Sequence, residues 1–344
     1  MTALLKIQEP GIYSTIQDLG RAGYQHLGVP VSGALDSTSF RLANALTGND
    51  EETAAVEILF QGPTFEVCAE TVRIALAGTS TPIEVLGETP RLVPPWQSLT
   101  LRRGELFRVG AVRDSVGCYL AIEGGFDLEP CLGSLSTYVR AGLGGLDGRP
   151  LAQGDELPLL HNSAPERAEV RLATLPDLSP RERLRVVLGP QLDCFKKASV
   201  EAFLEVAYRV SPKADRMGFR LEGPLLSHAG DFNIVSDGIA TGAIQVPGSG
   251  QPIVLLADRQ TTGGYPKIAT VISGDLPAAG RLKPGDPVRF VAVDVEQAEA
   301  VRRKEEEEIK AMIAGVVPVR DSGSLDLGSL YGSNLVSGVV SSDE

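Results

Sequence analysis

The chain has 344 residues and a formal net charge of -12; 43% of its residues are hydrophobic and 22% are charged. This length suits about two domains, and the composition is typical of a globular protein. The acidic balance argues against a nucleic-acid partner, no apolar run is long enough to cross a bilayer, and the N-terminus lacks a signal-peptide core. We therefore expect a cytoplasmic protein that has no membrane partner.

A helix is predicted near the N-terminus, after a glycine-rich opening. Asp36 or Ser37 can cap its first turn, and Gly48 stands where a helix-ending glycine belongs. Its apolar face is formed by Phe40, Ala43 and Leu46. Short strand-like runs separated by turn residues follow from 55 to 160. This spacing predicts a β-barrel or a β-sandwich.

A polar segment from His161 to Glu182 is predicted to separate two domains, with one short strand inside it at Val170–Leu175. The second domain opens with an apolar run at Leu184. A helix is expected from about Asp193 to Ala207, and the residues expected to face the core are Phe195, Ala202, Phe203 and Val206. The strands predicted after it are Phe219–Leu221, Asn233–Val235, Gly242–Val246, Ile253–Ala257, Ala269–Ile272 and Val288–Val293.

A third helix is predicted from Val295 to about Ile313, and it carries the glutamate run 305–308. Two i,i+4 pairs, Glu299 with Arg303 and Glu306 with Lys310, favour a solvated helix face. Beyond this helix the chain is rich in Ser and Gly, which is typical of disorder. The predicted organisation is a domain at 1–178, a domain at 184–313 and a disordered tail at 317–344.

Several common catalytic and binding motifs are absent from the sequence. There is no GxxxxGK[ST] loop, no GxGxxG after a strand, no HExxH and no GxSxG. The four cysteines include no C-x-x-C pair and the three histidines are scattered, so we expect no metal site. These absences count against the commonest nucleotide folds and against a nucleophile activated by histidine.

Two polar clusters interrupt the apolar pattern. Asp18 and Arg21 flank a glycine turn, and we expect an ion pair that pins the N-terminal segment. The second cluster lies in the segment 211–220 and contains Lys213, Asp215, Arg216 and Arg220. It could bind a carboxylate or phosphate, because arginine makes two-pronged hydrogen bonds to planar anions. It could equally form salt bridges with the acidic surface.

The third cluster, at 242–267, is the most informative stretch of the chain. A strand ending at Gln245 turns through Pro247 to Gly250, and a second apolar strand then delivers a run of polar side chains beside two glycines. Such side chains at the end of a buried strand predict either a binding rim or a tight hairpin with a surface Asp–Arg pair. Amide, guanidinium and carboxylate groups together suit a small planar substrate such as an amide, a urea or a carboxylate. An Arg or Lys could neutralise charge on an amide oxygen while Asp258 or Asp215 handled a proton.

The same segments resemble a known family. TIQDLGRAGYQHLGVPVSGALD, AVEILFQGP, RMGFRLEGP, LLADRQTTGGYPK and LKPGDPVRF are similar, in order, to allophanate hydrolase subunit 2. This family is also described as biotin-dependent carboxyltransferase, as the C subunit of bacterial 5-oxoprolinase and as the antagonist of the Kip kinase inhibitor. The resemblance implies a mainly β fold with a few helices, built as two cyclophilin-like β-barrel domains.

The resemblance also implies a function and partners. The implied reaction is the ATP-dependent opening of 5-oxo-L-proline to L-glutamate. It takes place in a complex with a subunit-1 protein, which is the B subunit of 5-oxoprolinase, and with the A subunit of the same enzyme. The alternatives are a biotin-dependent carboxyltransferase component acting on urea or a similar amide, with biotin on another chain, and a regulatory protein that binds and antagonises its subunit-1 partner. Whether ATP contacts this chain stays open.

The predicted site residues rest on polar clustering inside the matching segments. The predicted catalytic residues are Asp258, Arg259 and Lys267. The predicted substrate-binding residues are Arg216, Gln245, Gln260, Thr261 and Tyr265.

Overall fold

The computed structural model describes residues 3–319, and its N-terminal half consists of two packed antiparallel sheets and one helix. In chain order the elements are β1 (Leu4–Glu9), β2 (Tyr13–Gln17), α1 (Ser37–Thr47), β3 (Ala55–Leu59), β4 (Thr64–Val67), β5 (Thr71–Ala77), β6 (Ile83–Leu86), β7 (Arg91–Val93), β8 (Ser98–Arg102), β9 (Leu106–Val109), β10 (Gly117–Ile122) and β11 (Glu156–Pro158). One sheet has the order β11-β1-β4-β9-β6-β7 and the other β2-β3-β10-β5-β8.

The two N-terminal sheets enclose one hydrophobic core. Phe65 and Phe107 are fully buried there, and their rings stack with centroids 4.9 Å apart. Helix α1 packs on the outer side of the five-stranded sheet through Phe40, whose ring meets Tyr119 edge-on. The Asp36 carboxylate accepts hydrogen bonds from the first turn of α1, and Gly48 ends the helix with φ 74°. The predicted caps and apolar face of this helix are therefore confirmed.

As far as residue 319, the C-terminal half consists of a closed barrel, four further short strands and three α-helices. Its elements are β12 (Val170–Leu172), β13 (Arg183–Leu188), α2 (Lys197–Glu205), β14 (Tyr208–Asp215), β15 (Gly218–Glu222), β16 (Asp237–Gly238), β17 (Ala243–Gln245), β18 (Ile253–Leu255), β19 (Thr262–Gly263), β20 (Lys267–Val271), α3 (Leu276–Arg281), β21 (Pro287–Ala292), α4 (Val295–Ala314) and β22 (Val316–Pro318). The barrel runs β13-β20-β17-β18-β15-β14-β21, and a parallel β13–β21 pair closes it. The predicted mainly β fold with a few helices is confirmed. The domain bounds stay a prediction.

Two predicted elements of the C-terminal half are corrected. The helix expected from Asp193 begins at Lys197, because Leu192–Cys194 form a separate 3-10 turn, and Val206 is exposed rather than buried. The strand expected at Asn233–Val235 is irregular. Its backbone follows a turn in which the Asp231 carboxylate accepts a hydrogen bond from the Asn233 N–H.

Helix α4 matches its prediction, but its glutamate run is not simply solvated. Asp294 caps the helix in a capping box, and the two predicted i,i+4 pairs form. Glu306 also binds Arg41 of α1, and Glu305 binds Arg181. The Glu306–Arg41 contact fastens α4 to α1 of the N-terminal half, and the β12–β22 pair holds the strand that follows α4.

The tail prediction is corrected at its start and otherwise falls outside the described residues. Val317 and Pro318 belong to β22, where they pair with Arg171 and Val170. No helix within residues 3–319 is both long and apolar enough to cross a bilayer.

Candidate functional site

The β14–β15 hairpin lies between the two halves of the molecule and has a concavity on each side. The interdomain cleft has a volume of about 400 Å³ and is mainly apolar, with Tyr13 and Arg216 among its walls. The outer groove has a volume of about 420 Å³ and is lined by Lys213, Gln245 and other polar side chains. Both concavities share the hairpin tip, which includes Asp215.

An ion-pair cluster forms the floor of the interdomain cleft. Arg216 is buried; its Nε donates to the Asp258 carboxylate at 2.9 Å, and its Nη2 donates to the Gly33 carbonyl at 2.7 Å. Its Nη1 donates to the carboxylate of Glu57, which belongs to the N-terminal half. Burial opposes the charge of Arg216, but Glu57 and Asp258 outweigh it and raise the pKa of the guanidinium.

The cluster continues into the N-terminal half through Glu57 and Tyr119. The Tyr119 hydroxyl donates to Glu57 at 2.7 Å and accepts from the Asp36 N–H at 2.8 Å, and the Leu35 N–H donates to the same Glu57 oxygen at 2.9 Å. Burial, followed by the charge of Glu57, raises the pKa of Tyr119 well above its usual value. All three guanidinium nitrogens of Arg216 have partners. Because Glu57 belongs to the N-terminal half and Asp258 to the C-terminal half, the cluster joins the two halves.

The β-ladder register brings a different set of side chains to the outer face of the barrel. Arg220 pairs with Ile253, Ile253 with Gln245, and Gln245 with Lys267, across the four neighbouring strands β15, β18, β17 and β20. Their sequence neighbours point into the barrel core, among them Phe219, Ile244, Val254 and Ile268. Because side chains alternate along a strand, the paired row faces outward.

Two amide side chains form the base of the outer groove. The Gln260 Nε2 donates to the Gln245 Oε1 at 3.1 Å, and the Gln245 Nε2 is 3.5 Å from the Tyr265 carbonyl oxygen. Gly263 makes this arrangement possible, because a Cβ on it would lie 2.6 Å from the Gln245 Nε2. Gly263, the first glycine of the pair in the sequence motif, therefore gives the Gln245 amide room against the backbone.

Three predicted site residues lie beside the groove rather than in its lining. Lys267 is buried under the segment that carries β16, and its Nζ is 2.8 Å from the Asp237 carboxylate, whose pKa it lowers. Arg259 is buried, and its Nε donates to the Ile239 carbonyl at 3.1 Å. Burial lowers the pKa of Arg259. Thr261 contributes its carbonyl oxygen to the Ile239 N–H at 3.0 Å.

The structure thus divides the predicted residues into separate groups. Gln245, Gln260 and Tyr265 come together in the outer groove. Arg216 and Asp258 bind each other at the interdomain cleft, so neither presents a free group to the outer groove. Sequence reasoning missed Glu57 and its partner Tyr119. The signal for Glu57 was a carboxylate inside the apolar run VEILF, which demands a buried partner.

The predicted ion pair between Asp18 and Arg21 is corrected. The Asp18 carboxylate accepts hydrogen bonds from the hydroxyls of Ser134 and Ser136, and Arg21 donates to the Ser136 carbonyl. Both side chains therefore fasten the N-terminal segment to the loop around residue 135. Each does so through its own hydrogen bonds to that loop and not by pairing with the other. Among residues 3–319 no group of three His, Cys, Asp or Glu side chains could hold a metal ion.

The chain combines a two-part fold with an outer groove that contains side-chain amides. Comparison with known proteins identifies the family of proteins to which this fold belongs. The model of the carboxyltransferase domain, subdomain A and B, matches residues 27–292, so the chain belongs to this family. The chain is 36% identical over 303 residues to the C subunit of Escherichia coli 5-oxoprolinase, covering 88% of this chain and 96% of that protein. The family predicted from the sequence is therefore confirmed.

Relatives within larger proteins share the same fold. Urea amidolyase of Saccharomyces cerevisiae is 32% identical over 327 residues, which is 90% of this chain and 18% of that protein. The crystal structure of Kluyveromyces lactis urea carboxylase matches with a TM-score of 0.83 and 29% identity, over 94% of this chain and 30% of that chain. The chain therefore spans less than a third of either of these two proteins.

Proposed function

We propose that this chain is a subunit of an ATP-dependent 5-oxoprolinase complex that opens 5-oxo-L-proline to L-glutamate. The match to the C subunit of Escherichia coli 5-oxoprolinase carries the proposal, because it spans 96% of that protein. The same relationship holds for the C subunit of the Haemophilus influenzae enzyme, at 35% identity over 92% of its length. Both relatives are named as subunits of an enzyme, which supports the presence of partner chains. We propose that these partners are homologues of the A and B subunits.

The outer groove supports an amide substrate. A carboxamide carries two N–H donors and one acceptor oxygen, and the Gln245–Gln260 hydrogen bond uses one donor and one acceptor of the pair. The acceptor oxygen of Gln260 and further N–H groups therefore remain for a ligand. A lactam presents one N–H and one C=O on the same edge, which complements this pair. We propose that Gln245 and Gln260 hold the lactam while water adds to its carbonyl carbon and the C–N bond breaks.

ATP binding does not fit the N-termini of α1 and α4. Phosphates are commonly held by free backbone N–H groups at a helix N-terminus, but the carboxylates of Asp36 and Asp294 already accept those N–H groups on α1 and α4. The sequence also lacks a GxxxxGK[ST] loop. We propose that ATP is bound by a partner protein of the complex, and that this chain contributes lactam recognition.

Reconstitution tests the proposal directly. The chain is co-purified with its homologues of the A and B subunits, and glutamate formation from 5-oxoproline is measured with and without ATP. ATP-dependent glutamate formation that requires this chain supports the proposal. An assembled complex that forms no glutamate overturns it. The matched control replaces this chain with its Gln245→Leu variant, which keeps the fold but lacks the amide at the base of the groove.

A second candidate is a biotin-dependent carboxyltransferase acting on urea or a similar amide. The match to urea carboxylase favours it, with a TM-score of 0.83 over 94% of this chain. Under this hypothesis, carboxylated biotin would be carried by another chain. Transfer of labelled carboxylate to urea by a complex inactive on 5-oxoproline would select this candidate.

The regulatory reading makes a third prediction for the same reconstitution. A chain that only sequesters its subunit-1 partner would bind that partner tightly and show no turnover in any mixture. Its binding would also be unchanged by Arg259→Ala together with Lys267→Ala.

A further inference from the structure

The outer groove carries two cationic side chains that have no ion-pair partner within residues 3–319. Lys213 and Arg220 are both exposed and both line the groove. Within residues 3–319 neither side chain forms a salt bridge or a side-chain hydrogen bond. In a chain with a net charge of -12, two unpaired cations beside one small concavity create a local positive potential.

The carboxylate that lines the groove, Asp215, is engaged from the other side of the hairpin. The Asp215 Oδ1 accepts hydrogen bonds from the Met217 N–H at 2.8 Å and the Gly218 N–H at 3.3 Å. Its Oδ2 is 3.5 Å from the Arg140 guanidinium, which belongs to the N-terminal half. Asp215 is therefore committed to the turn and the domain contact, and the charge of Arg220 and Lys213 stays available to a ligand.

The strand register sets the distance between cation and amide. Arg220 and Gln245 both pair with Ile253, so their strands lie on either side of β18. Neighbouring strands are about 4.8 Å apart, which places the two backbones about 9.6 Å from each other. Both side chains are long, and they can close on a small ligand that has an amide at one end and an anion at the other.

We propose that Arg220, assisted by Lys213, binds the carboxylate of an anionic amide whose amide group rests on Gln245 and Gln260. This assignment rests on the proposed function and makes it more specific, because 5-oxoproline is a carboxylate at neutral pH whereas urea and simple lactams are neutral. Arg220 is thereby a specificity-determining residue that selects a lactam acid over a neutral amide. It contacts the non-reacting end of the substrate.

The test uses the assembled complex and compares three ligands. In the wild-type complex 5-oxoproline should be used with a KM at least tenfold below that of 2-pyrrolidinone, the lactam without a carboxylate, and urea should not compete. In the Arg220→Gln, Lys213→Gln double variant the KM for 5-oxoproline should rise about 10- to 100-fold while kcat is largely kept, because the lost contact binds ground state and transition state alike. Arg220→Lys should recover part of this loss.

A matched control and a binding measurement separate the possible failures. Arg209→Gln removes another exposed arginine of the same hairpin, one outside the groove lining, and should leave KM unchanged. An unchanged KM in the double variant of an active complex overturns the assignment and leaves the proposed function standing. If the complex is inactive, the assignment of Arg220 and Lys213 is tested by equilibrium binding of labelled 5-oxoproline to the complex. Binding that the double variant loses supports the assignment while the proposed function fails, and binding that is absent or unaffected overturns the assignment.

Discussion

Arg216 and Arg220 belong to the same hairpin and lie in opposite environments. Arg216 sits in the turn, buried, with every guanidinium nitrogen bonded to Glu57, Asp258 or Gly33. Arg220 lies four positions later on the exposed face of β15 without an ion-pair partner among the described residues. The contrast separates a cation that holds two domains together from a cation that is free to bind a ligand.

From the sequence these two arginines belong to one cluster, which could bind an anion or form salt bridges, and only Arg216 was predicted to bind substrate. What separates them is a single reversal of the chain at the hairpin tip, which turns Arg216 towards the N-terminal half and leaves Arg220 on the barrel surface. Glu57 completes the distinction, because it reaches Arg216 from a strand 159 positions away. A structural role for Arg216 and a binding role for Arg220 give opposite expectations for stability and for activity.

The largest expected effect is on stability. Arg216→Met leaves the buried carboxylates of Glu57 and Asp258 without their cation, and breaking a buried ion pair costs about 3–5 kcal/mol. We expect the free energy of unfolding, measured by urea denaturation of the full chain, to fall by that amount. Arg220→Met should change it by less than about 0.5 kcal/mol. Equal losses in the two variants would remove the distinction between them.

The second prediction concerns activity in the outer groove. Gln245→Leu removes the amide that accepts from Gln260, while the groove stays open to water. The loss of hydrogen bonds worth about 1–3 kcal/mol should lower kcat/KM for 5-oxoproline about 5- to 150-fold. Gln153→Leu, an exposed glutamine in the N-terminal half, serves as the control. Undiminished kcat/KM in the Gln245 variant would exclude the groove as the substrate site.

A smaller loss of stability is expected at Tyr119, which is one hydrogen bond further along the cluster from Arg216. Tyr119→Phe removes the hydroxyl that links the Asp36 N–H to Glu57. A buried N–H left without an acceptor costs about 1–2 kcal/mol, and Glu57 keeps its bond to Arg216. Urea denaturation should therefore show a loss intermediate between those of Arg216→Met and Tyr24→Phe, the latter being the control. A loss matching that of Arg216→Met would show that the hydroxyl, not the ion pair, dominates the cluster.

The fold was largely predictable because its signals are local. The caps and apolar face of α1 and the span of α4 follow from neighbouring residues, as do most strands. The strand expected at Asn233–Val235 failed because an Asx turn competes with extended structure there.

The site was less predictable because its geometry is not local. The side-chain amides of Gln245 and Gln260 and the backbone carbonyl of Tyr265 meet within one stretch of chain. Glu57, one of the partners of Arg216, comes from the N-terminal half, and the outward row that includes Arg220 follows from strand register. Neither the Glu57–Arg216 contact nor the outward-facing row can be predicted from the residues of one segment.

The smallest expected effect tests a further contact between the two halves, where α4 meets α1. Hydrogen bonds from Arg41, at 2.7 and 2.9 Å, lower the pKa of Glu306 from its usual 4.5 to about 2. A depressed carboxylate pKa contributes stability above the unfolded pKa, and that contribution is lost as the pH falls from about 4.5 towards 2. Because Glu306 is 41% exposed, solvent limits the pair to less than about 1 kcal/mol.

Glu306→Gln should therefore lower the free energy of unfolding slightly at pH 7, and the difference from wild type should shrink through this acid window. Glu307→Gln, exposed on the same helix, should show no such convergence. A Glu306 difference that persists at pH 2 would mean that α4 is held to α1 by packing rather than by charge. In that case buried ion pairs, among them the Arg216 cluster and the Arg281–Asp36 pair, would carry the electrostatic linkage between the two halves, and the contrast with Arg220 would become sharper.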